Sequence, residues 1–497
     1  MVASSMPAEE PATMPSEAER IFTRQRAAAA LQGVPTHGQR IAALDALLGL
    51  LKQNRRALVD AVSADFGNRA VAETELGELM PLTNAIKHVR RHLKHWMKPQ
   101  RRRVGPAFRP AYAEIVYQPL GVVGVLAPWN YPIFLTLGPI VDALAAGNRV
   151  MLKPSELTPR TSALLKRLLE DAFPEEQVAV VTGGPEVAAQ FSTLGFDHLL
   201  FTGSTRVGRA VMAAAAPNLT PVTLELGGKS PVVLCRDYPL ARAAKTIAIG
   251  KLFNAGQTCV APDYVLVPAD LVDAFAQAFI AATSELYPTL AGNVDYSAIV
   301  SDRHYQRHSA MLDEARAAGA SVIQRVDAGA AAERKFLPAV VIDPPDGTLV
   351  MREEIFGPIL PIVPYDDLDQ AIQRINARPK PLALYCFSND PERVRNLLDR
   401  TSSGGVTVNG TLLHVAQEDL PFGGVGESGI GAYHGRDGFI RLSHARAVLT
   451  LGRFNMSDRI AAPYGRLTRL ATWLFLGKPQ TAGSTARPDA EGDGSAP

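Results

Sequence analysis

Apolar residues recur at spacings of three and four through residues 17–32, 38–64 and 82–97, the period of helices with one buried face. From about residue 112 the rhythm changes. Short apolar runs at 122–127, 149–152, 178–181, 199–201 and 222–226 alternate with helical stretches at 137–146, 158–172, 186–194 and 206–215. Gly147-Asn148 closes one of these helices and Thr158-Pro159 opens the next. Such alternation predicts a doubly wound parallel sheet, which binds nucleotides beyond the carboxyl ends of its strands. A second α/β stretch runs from about 230 to 401, with strands at 264–267, 340–342, 359–363 and 383–387 and helices at 270–284 and 367–377. Two β-rich segments, 112–117 and 405–409, stand apart and predict a small sheet for packing or oligomerisation.

The ends read differently. Residues 1–16 and the closing AGSTARPDAEGDGSAP are rich in Ala, Pro, Gly, Ser and acidic residues and predict disorder. At 497 residues the chain needs two or three cores. Its 51 basic and 49 acidic residues leave a formal charge of +2, which makes no case for a nucleic-acid partner. The one dense basic run, Arg101-Arg102-Arg103, reads most simply as solvated surface. Three cysteines at irregular spacing, Cys235, Cys259 and Cys386, form no disulfide framework and suit a reducing compartment. The N-terminus has no apolar core of a signal peptide, and no apolar run reaches the length of a membrane span, so a cytoplasmic protein is expected.

A G-x-G-x-x-G pattern occurs at Gly424–Gly429, but it does not follow a strand in a βαβ unit and reads as a glycine-rich loop. FTGSTRVG (201–208) is better placed for a cofactor. A strand ends, Gly203 and Ser204 make the turn, and a helix begins, which offers free amides and the positive helix end to a pyrophosphate. Lys153-Pro154-Ser155-Glu156 follows another strand at the same expected edge. There a lysine and a carboxylate can bond ribose hydroxyls, although an ordinary charged turn has the same composition.

Cys259 lies in NAGQTC among small residues, a setting open both to a buried small hydrophobe and to a nucleophile. Glu225 sits between leucines in TLELGGKSP. A carboxylate there is costly to bury unless it is paired or functional, and its raised pKa would suit a general base. Asn130, between two prolines in PWNYP, holds an amide that can donate to a developing oxyanion.

Together PWNYP (128–132), KPSE (153–156), FTGSTRVG (201–208), ELGGKSP (225–231), NAGQTC (254–259), EEIFGP (353–358) and PFGGVGESG (421–429) resemble the aldehyde dehydrogenase superfamily across almost the whole chain. Glu225 precedes Cys259 by 34 positions, as in its hydrolytic members. The resemblance implies Cys259 as nucleophile, Glu225 as base for the hydrolytic water, and Asn130 with the Cys259 amide as the oxyanion hole. It implies NAD, with NADP possible, as cofactor. Lys153 and Glu156 would hold the adenosine ribose, Gly203, Ser204, Thr205, Val207 and Gly208 would form the pyrophosphate turn, and Glu354, Phe356 and Trp129 would flank the nicotinamide end. No metal is implied.

The implied fold is α/β: a doubly wound parallel-sheet cofactor domain (17–111 and 119–228), an α/β catalytic domain (229–404) and a β-rich oligomerisation flap (112–118 and 405–420). Residues 421–454 would return to the cofactor domain, and 455–497 would form a tail that is largely disordered at its end. Within the superfamily the chain resembles the class 3 branch. Residues 411–417, 420–424 and 431–435 look most like bacterial coniferyl aldehyde dehydrogenases, with fatty or medium-chain aldehyde enzymes as the alternative. A homodimer acting on a small-molecule aldehyde follows. A CoA-acylating enzyme would lack the base at Glu225, and an inactive NAD-binding homologue would not need the intact Cys259, Glu225 and Asn130 set.

Overall fold

A computed structural model describes residues 16–453, 460 and 462–477. The disorder expected for 1–16 and 482–497 falls outside that range, apart from Ser16, which caps the first helix.

Two units divide the chain, one of residues 1–98 and 117–445, the other of 99–116 and 446–497. In the larger unit the first helix, Glu17–Gln32, starts at a reciprocal cap in which Ser16 Oγ accepts from the Glu19 amide and the Glu19 carboxylate accepts from the Ser16 amide. The single helix expected at 38–64 is two, His37–Gln53 and Arg55–Phe66. Asn54 leaves helical geometry (φ −110°, ψ 15°), and its side chain caps the Leu50 carbonyl. The helix expected from 82 begins eleven residues earlier as Val71–Thr74, passes through a π turn at Glu75–Leu79 and continues as Met80–Trp96.

Strands β1 (Gln100–Arg102) and β2 (Tyr112–Pro119) pair antiparallel. Next come β3 (Val122–Leu126), β4 (Arg149–Lys153), β5 (Val178–Val180), β6 (His198–Thr202) and β7 (Val222–Glu225), all parallel. Val123 and Val125 of β3 face the core built with Leu44, Leu58, Val62 and Ile86. Val122 and Leu126 face the opposite core with Ile21, Phe191 and Leu199. Both faces are therefore covered, and the strands read as unbroken apolar runs.

The chain then builds β8 (Pro231–Leu234), β9 (Tyr264–Pro268), β10 (Ser321–Gln324), β11 (Ala339–Ile342), β12 (Ile359–Tyr365), β13 (Ala383–Phe387) and β14 (Gly405–Val408), a sheet of order β10-β11-β12-β9-β8-β13-β14. One expectation is corrected here. Residues 405–408, assigned from sequence to the flap, pair in parallel with β13 and belong to this larger sheet. Their isolation between loops hid a half-buried edge position beside Ala383–Cys386. A short β15 (Gly429–Ile430) joins β7, and β16 (Ser443–Thr450) completes a three-stranded sheet of order β1-β2-β16. The third strand of the small sheet is thus β16, from a stretch expected only to return to the cofactor domain.

The first large sheet has the order β15-β7-β6-β3-β4-β5. The chain moves outward from β3 through β4 and β5, then crosses back to β6. The switch point therefore lies between β3 and β6, where an open α/β sheet leaves a crevice beyond its carboxyl ends.

Candidate functional site

The sequence motifs collect at that edge. Leu126 of β3 is level with Lys153 of β4 and with Phe201 of β6, and Thr202 is level with Glu225 of β7. The PWN, KPSE, TGST and ELGG segments therefore leave the sheet side by side. Ser204 caps the helix Thr205–Ala215, its Oγ accepting from the Val207 amide at 3.4 Å. A Cβ on Gly208 would stand 2.7 Å from Leu226 Cδ2, so the helix approaches the sheet only because this residue is glycine. Lys153 is buried, and its Nζ lies 2.8 Å from Glu156 Oε2, which is half-exposed. Desolvation pushes the Glu156 carboxyl up, but the Lys153 hydrogen bond and charge outweigh it and hold the group below its usual range. Thr205 Oγ1 donates to the Glu427 carbonyl.

The glycine-rich 424–429 segment is a tight turn closing this sheet. Gly429 is level with Glu225, the Leu226 amide donates to the Ser428 carbonyl, and Gly426 bridges Gly429.

Glu225 ends β7 fully buried, and neither carboxylate oxygen has a hydrogen-bond partner. Burial alone raises it well above the ordinary carboxyl value. A Cβ on Gly227 would collide with the Glu354 carboxylate, which therefore lies against bare backbone two residues beyond Glu225. Desolvation first, then Asp263, pushes Glu354 up to about 8. The loop carrying Glu354 is tied down from below. Asp263 accepts from the Ile355 amide and is paired with Lys229, whose ammonium also donates to the Val350 and Glu353 carbonyls. Phe356 adopts a left-handed φ of 52°, and its ring meets Trp129 edge-on at 5.3 Å. Trp129 also packs against His304 and Phe66.

Cys259 is half-buried, in a turn that departs sharply from the preceding helix. Asn254, Ala255 and Gly256 all have left-handed φ (54°, 50° and 76°). Burial pushes its thiol up to about 12, with further contributions from Glu354 and then Glu225. The turn is braced from several sides. The Asn254 amide donates to Glu73 (2.9 Å), Gln257 Nε2 donates to the Asn254 and Ala298 carbonyls, and Gln257 Oε1 accepts from the Val300 amide. Asn130, also buried, donates through Nδ2 to the Gln257 carbonyl at 3.2 Å. Tyr131 and Thr258 hydroxyls meet at 2.7 Å, and the Tyr385 hydroxyl donates to the Val260 carbonyl.

Three supporting charges escaped the sequence reading. Arg69 and Glu78 form a wholly buried pair at 2.9 Å. The other Glu78 oxygen accepts from the Ile133 and Phe134 amides. Glu73 accepts from both Asn254 and Ser297. Glu73 and Glu78 are five residues apart, which turns them away from each other on an α-helix. The π turn between them, with its i→i+5 spacing, underwinds the helix and lets both face inward. Tyr433 escaped it too: its buried hydroxyl has no partner, and burial first, then Glu225 and Cys259, holds it well above its ordinary value. It stands beside Phe422 and His434, whose rings stack at 5.3 Å.

A cavity of about 980 Å³ lined by Arg40, Arg149 and Asp197 opens at the amino ends of the strands and contains none of the motif residues. Among the described residues no group of three or more His, Cys, Asp or Glu is placed to hold a metal ion.

Known proteins agree with this arrangement. The sequence pattern of the "Aldehyde dehydrogenase family" matches residues 6–448. A probable coniferyl aldehyde dehydrogenase of Pseudomonas aeruginosa is 50% identical, covering 93% of this chain and 97% of its own. The coniferyl aldehyde dehydrogenase of a Pseudomonas species is 46% identical over 87% of this chain and 91% of its own. The substrate-bound structure of Staphylococcus aureus AldH superposes with a TM-score of 0.87 at 35% identity, covering 93% of this chain and 100% of that one. Betaine aldehyde dehydrogenase of the same organism, in complex with NAD+, gives 0.80 at 27% identity over 88% of each chain. With its switch-point crevice, its buried unpaired carboxylate and its strained cysteine turn, this chain belongs to the aldehyde dehydrogenase family.

Proposed function

We propose that the enzyme oxidises coniferyl aldehyde to ferulate, with Cys259 as nucleophile, Glu225 as hydrolytic base and NAD as the preferred cofactor. The observation that carries the mechanism is Glu225: a buried carboxylate with both oxygens unpartnered, close enough to Cys259 to perturb its thiol. So costly a group is kept where it has work to do.

The edge fits a dinucleotide. The Ser204-capped helix offers its amino-terminal amides to a pyrophosphate, Lys153 and Glu156 offer a cation and an acceptor to a ribose diol, and the Thr202 hydroxyl is buried without a partner. Thr205, Val207, Glu354, Phe356 and Trp129 complete that assignment. When bound, the nicotinamide supplies the hydride acceptor.

The Cys259 thiolate adds to the aldehyde carbon, and the Asn130 amide with the Cys259 backbone N–H holds the resulting oxyanion. Collapse of this thiohemiacetal expels hydride from carbon and leaves a thioester on Cys259. Glu225 takes a proton from water, the hydroxyl adds to the thioester, the C–S bond breaks, and the acid leaves with the thiol restored. A water-activating base at this point supports hydrolysis over transfer to a CoA thiol.

The relatives named for coniferyl aldehyde and the aromatic neighbourhood of Phe422, Tyr433 and His434 support a planar aromatic substrate. The carboxylate at Glu156 repels a 2′-phosphate and supports NAD. The three cysteines are free, as a reducing cytoplasm would leave them. The edge strands β1 and β16 of the small sheet are the surface we assign to homodimer contact. NADH formation with coniferyl aldehyde, benzaldehyde and a medium-chain alkanal tests the substrate. The highest kcat/KM should fall to coniferyl aldehyde, and preference for the alkanal would move the enzyme to the fatty-aldehyde side.

A further inference from the structure

The cavity of about 980 Å³ lies at the amino ends of the parallel strands, on the edge opposite the proposed cofactor site, and is lined wholly by residues of the larger unit. Arg40 reaches it from the first turn of His37–Gln53. The residue is 3% exposed, yet its hydrogen bonds go only to uncharged carbonyls. Nε donates to Pro35 at 3.1 Å, and Nη1 donates to Ala145 at 2.8 Å, at the end of the helix Phe134–Ala146. Nη2 has no protein partner among the described residues. A Cβ on Gly147 would stand 2.8 Å from it, so the guanidinium lies against bare backbone. Burial lowers Arg40 to about 10, with no carboxylate near enough to raise it, and leaves it cationic at neutral pH. A buried cation without a counter-ion is costly. Arg149 in the same cavity is likewise bound to uncharged oxygens, the Glu176 and Ala28 carbonyls and the Gln32 amide. The lining carboxylates are already engaged, Glu176 by Arg24 and Asp197 by Arg26. Leu144, Phe173 and Ala46 give the cavity an apolar side.

We infer that this cavity binds an organic carboxylate, whose charge meets Arg40 and whose apolar body lies along Leu144, Phe173 and Ala46. A guanidinium presents parallel donors that match the two oxygens of a carboxylate. The volume is on the scale of small-molecule sites, which pair apolar walls with a few placed polar groups. Inorganic phosphate is the poorer occupant, because it would leave the apolar side uncovered. None of the residues assigned to catalysis or to the cofactor lines the cavity, so the inference stands whichever aldehyde is oxidised.

The test is isothermal titration of the full chain with benzoate, with benzamide as its uncharged counterpart and inorganic phosphate as the bare anion. Saturable benzoate binding that the aldehyde does not displace is expected, at least about tenfold tighter than binding of either control. A46E puts a carboxylate on the apolar side of the cavity. It should weaken benzoate binding at least about tenfold while oxidising aldehydes at the wild-type rate, which shows that it is folded. R40Q should weaken binding to the same degree, and because Arg40 also caps a helix, A46E decides the matter if R40Q does not fold. No saturable binding, equal binding of benzamide or phosphate, or undiminished binding by A46E would overturn the inference. So would benzoate binding that the aldehyde displaces competitively, which would seat the anion beside Cys259.

Discussion

Arg69 hydrogen-bonds the backbone carbonyl of Asn130 at 3.0 Å while its guanidinium is locked to Glu78 at 2.9 Å, both ends of the pair fully buried. The side chain assigned to the oxyanion hole is thus fixed in part from an inter-helix loop 61 residues earlier in the chain. Glu78 returns to the same loop through the Ile133 and Phe134 amides. Replacing Arg69 with Met strands a buried carboxylate and releases the Asn130 backbone. The expected loss is about 3–5 kcal/mol, read from chemical denaturation. R69M/E78M removes both charges and should be more stable than R69M alone. Equal stabilities would mean that the pair is not what holds this loop.

The roles proposed for Cys259 and Glu225 separate in time. C259S should abolish aldehyde oxidation and keep cofactor affinity. In E225Q the first turnover should still release a burst of NADH, because hydride loss precedes hydrolysis. Steady-state turnover should then fall by about 10²–10⁴, the usual contribution of a positioned base. Rapid-mixing absorbance measures both phases. A missing burst would place Glu225 before the thioester, contrary to the role assigned to it.

The Cys259 thiol, pushed up to about 12 mainly by burial, is protonated at neutral pH in the free enzyme. Its thiolate fraction therefore grows about tenfold per pH unit on the acid side of that value. Alkylation by iodoacetamide should rise in step from about pH 7 to about pH 10. Since the Glu354 charge contributes to the shift, E354Q should alkylate faster than wild type at about pH 9, where that carboxyl is ionised. A pH-independent rate would show that the thiol is already ionised.

Much of the edge proposed for the cofactor was legible in the sequence, because strand ends, glycines and helix caps leave local signatures. Gly203-Ser204 before a helix is one such signature, and Lys153–Glu156 after a strand is another. The supports were not legible. Glu73 and Glu78 look like polar positions of an amphipathic helix, and only the π turn brings both inside. The partnership of Gly405–Val408 with β13 is likewise non-local: four residues with mixed burial give no periodic signal of which sheet will accept them. The left-handed residues at Asn254 and Ala255 were hidden for a related reason. Their strain is imposed by Gln257 together with Glu73 and the packed core, and neither of the last two is visible in NAGQTC itself.

Glu156 should decide between cofactors. Its carboxyl is held ionised by Lys153, so a 2′-phosphate at the adenosine ribose would meet a fixed negative charge. The wild-type enzyme is expected to have the higher kcat/KM with NAD, and E156Q should narrow the gap by improving NADP. Comparable wild-type values with the two cofactors would remove Glu156 from that role.

Gly256 offers the sharpest test of how the nucleophile is presented. It lies three residues before Cys259 with φ of 76°, a region that costs any other residue strain. An added Cβ would run into the Gly357 carbonyl, which is backbone and cannot swing aside, and would stand 2.9 Å from the Lys251 carbonyl. G256A must therefore shift either the Cys259 turn or the loop after Phe356. The strain alone costs about 1–3 kcal/mol. Because the thiol must reach the aldehyde carbon at bonding range, a displacement near 1 Å should lower kcat by about 10²-fold with the protein still folded. Circular dichroism checks the fold, and single-turnover NADH formation checks the chemistry. A folded G256A with wild-type single-turnover rate would mean that the turn adapts, and that the geometry around Cys259 is set further along the chain.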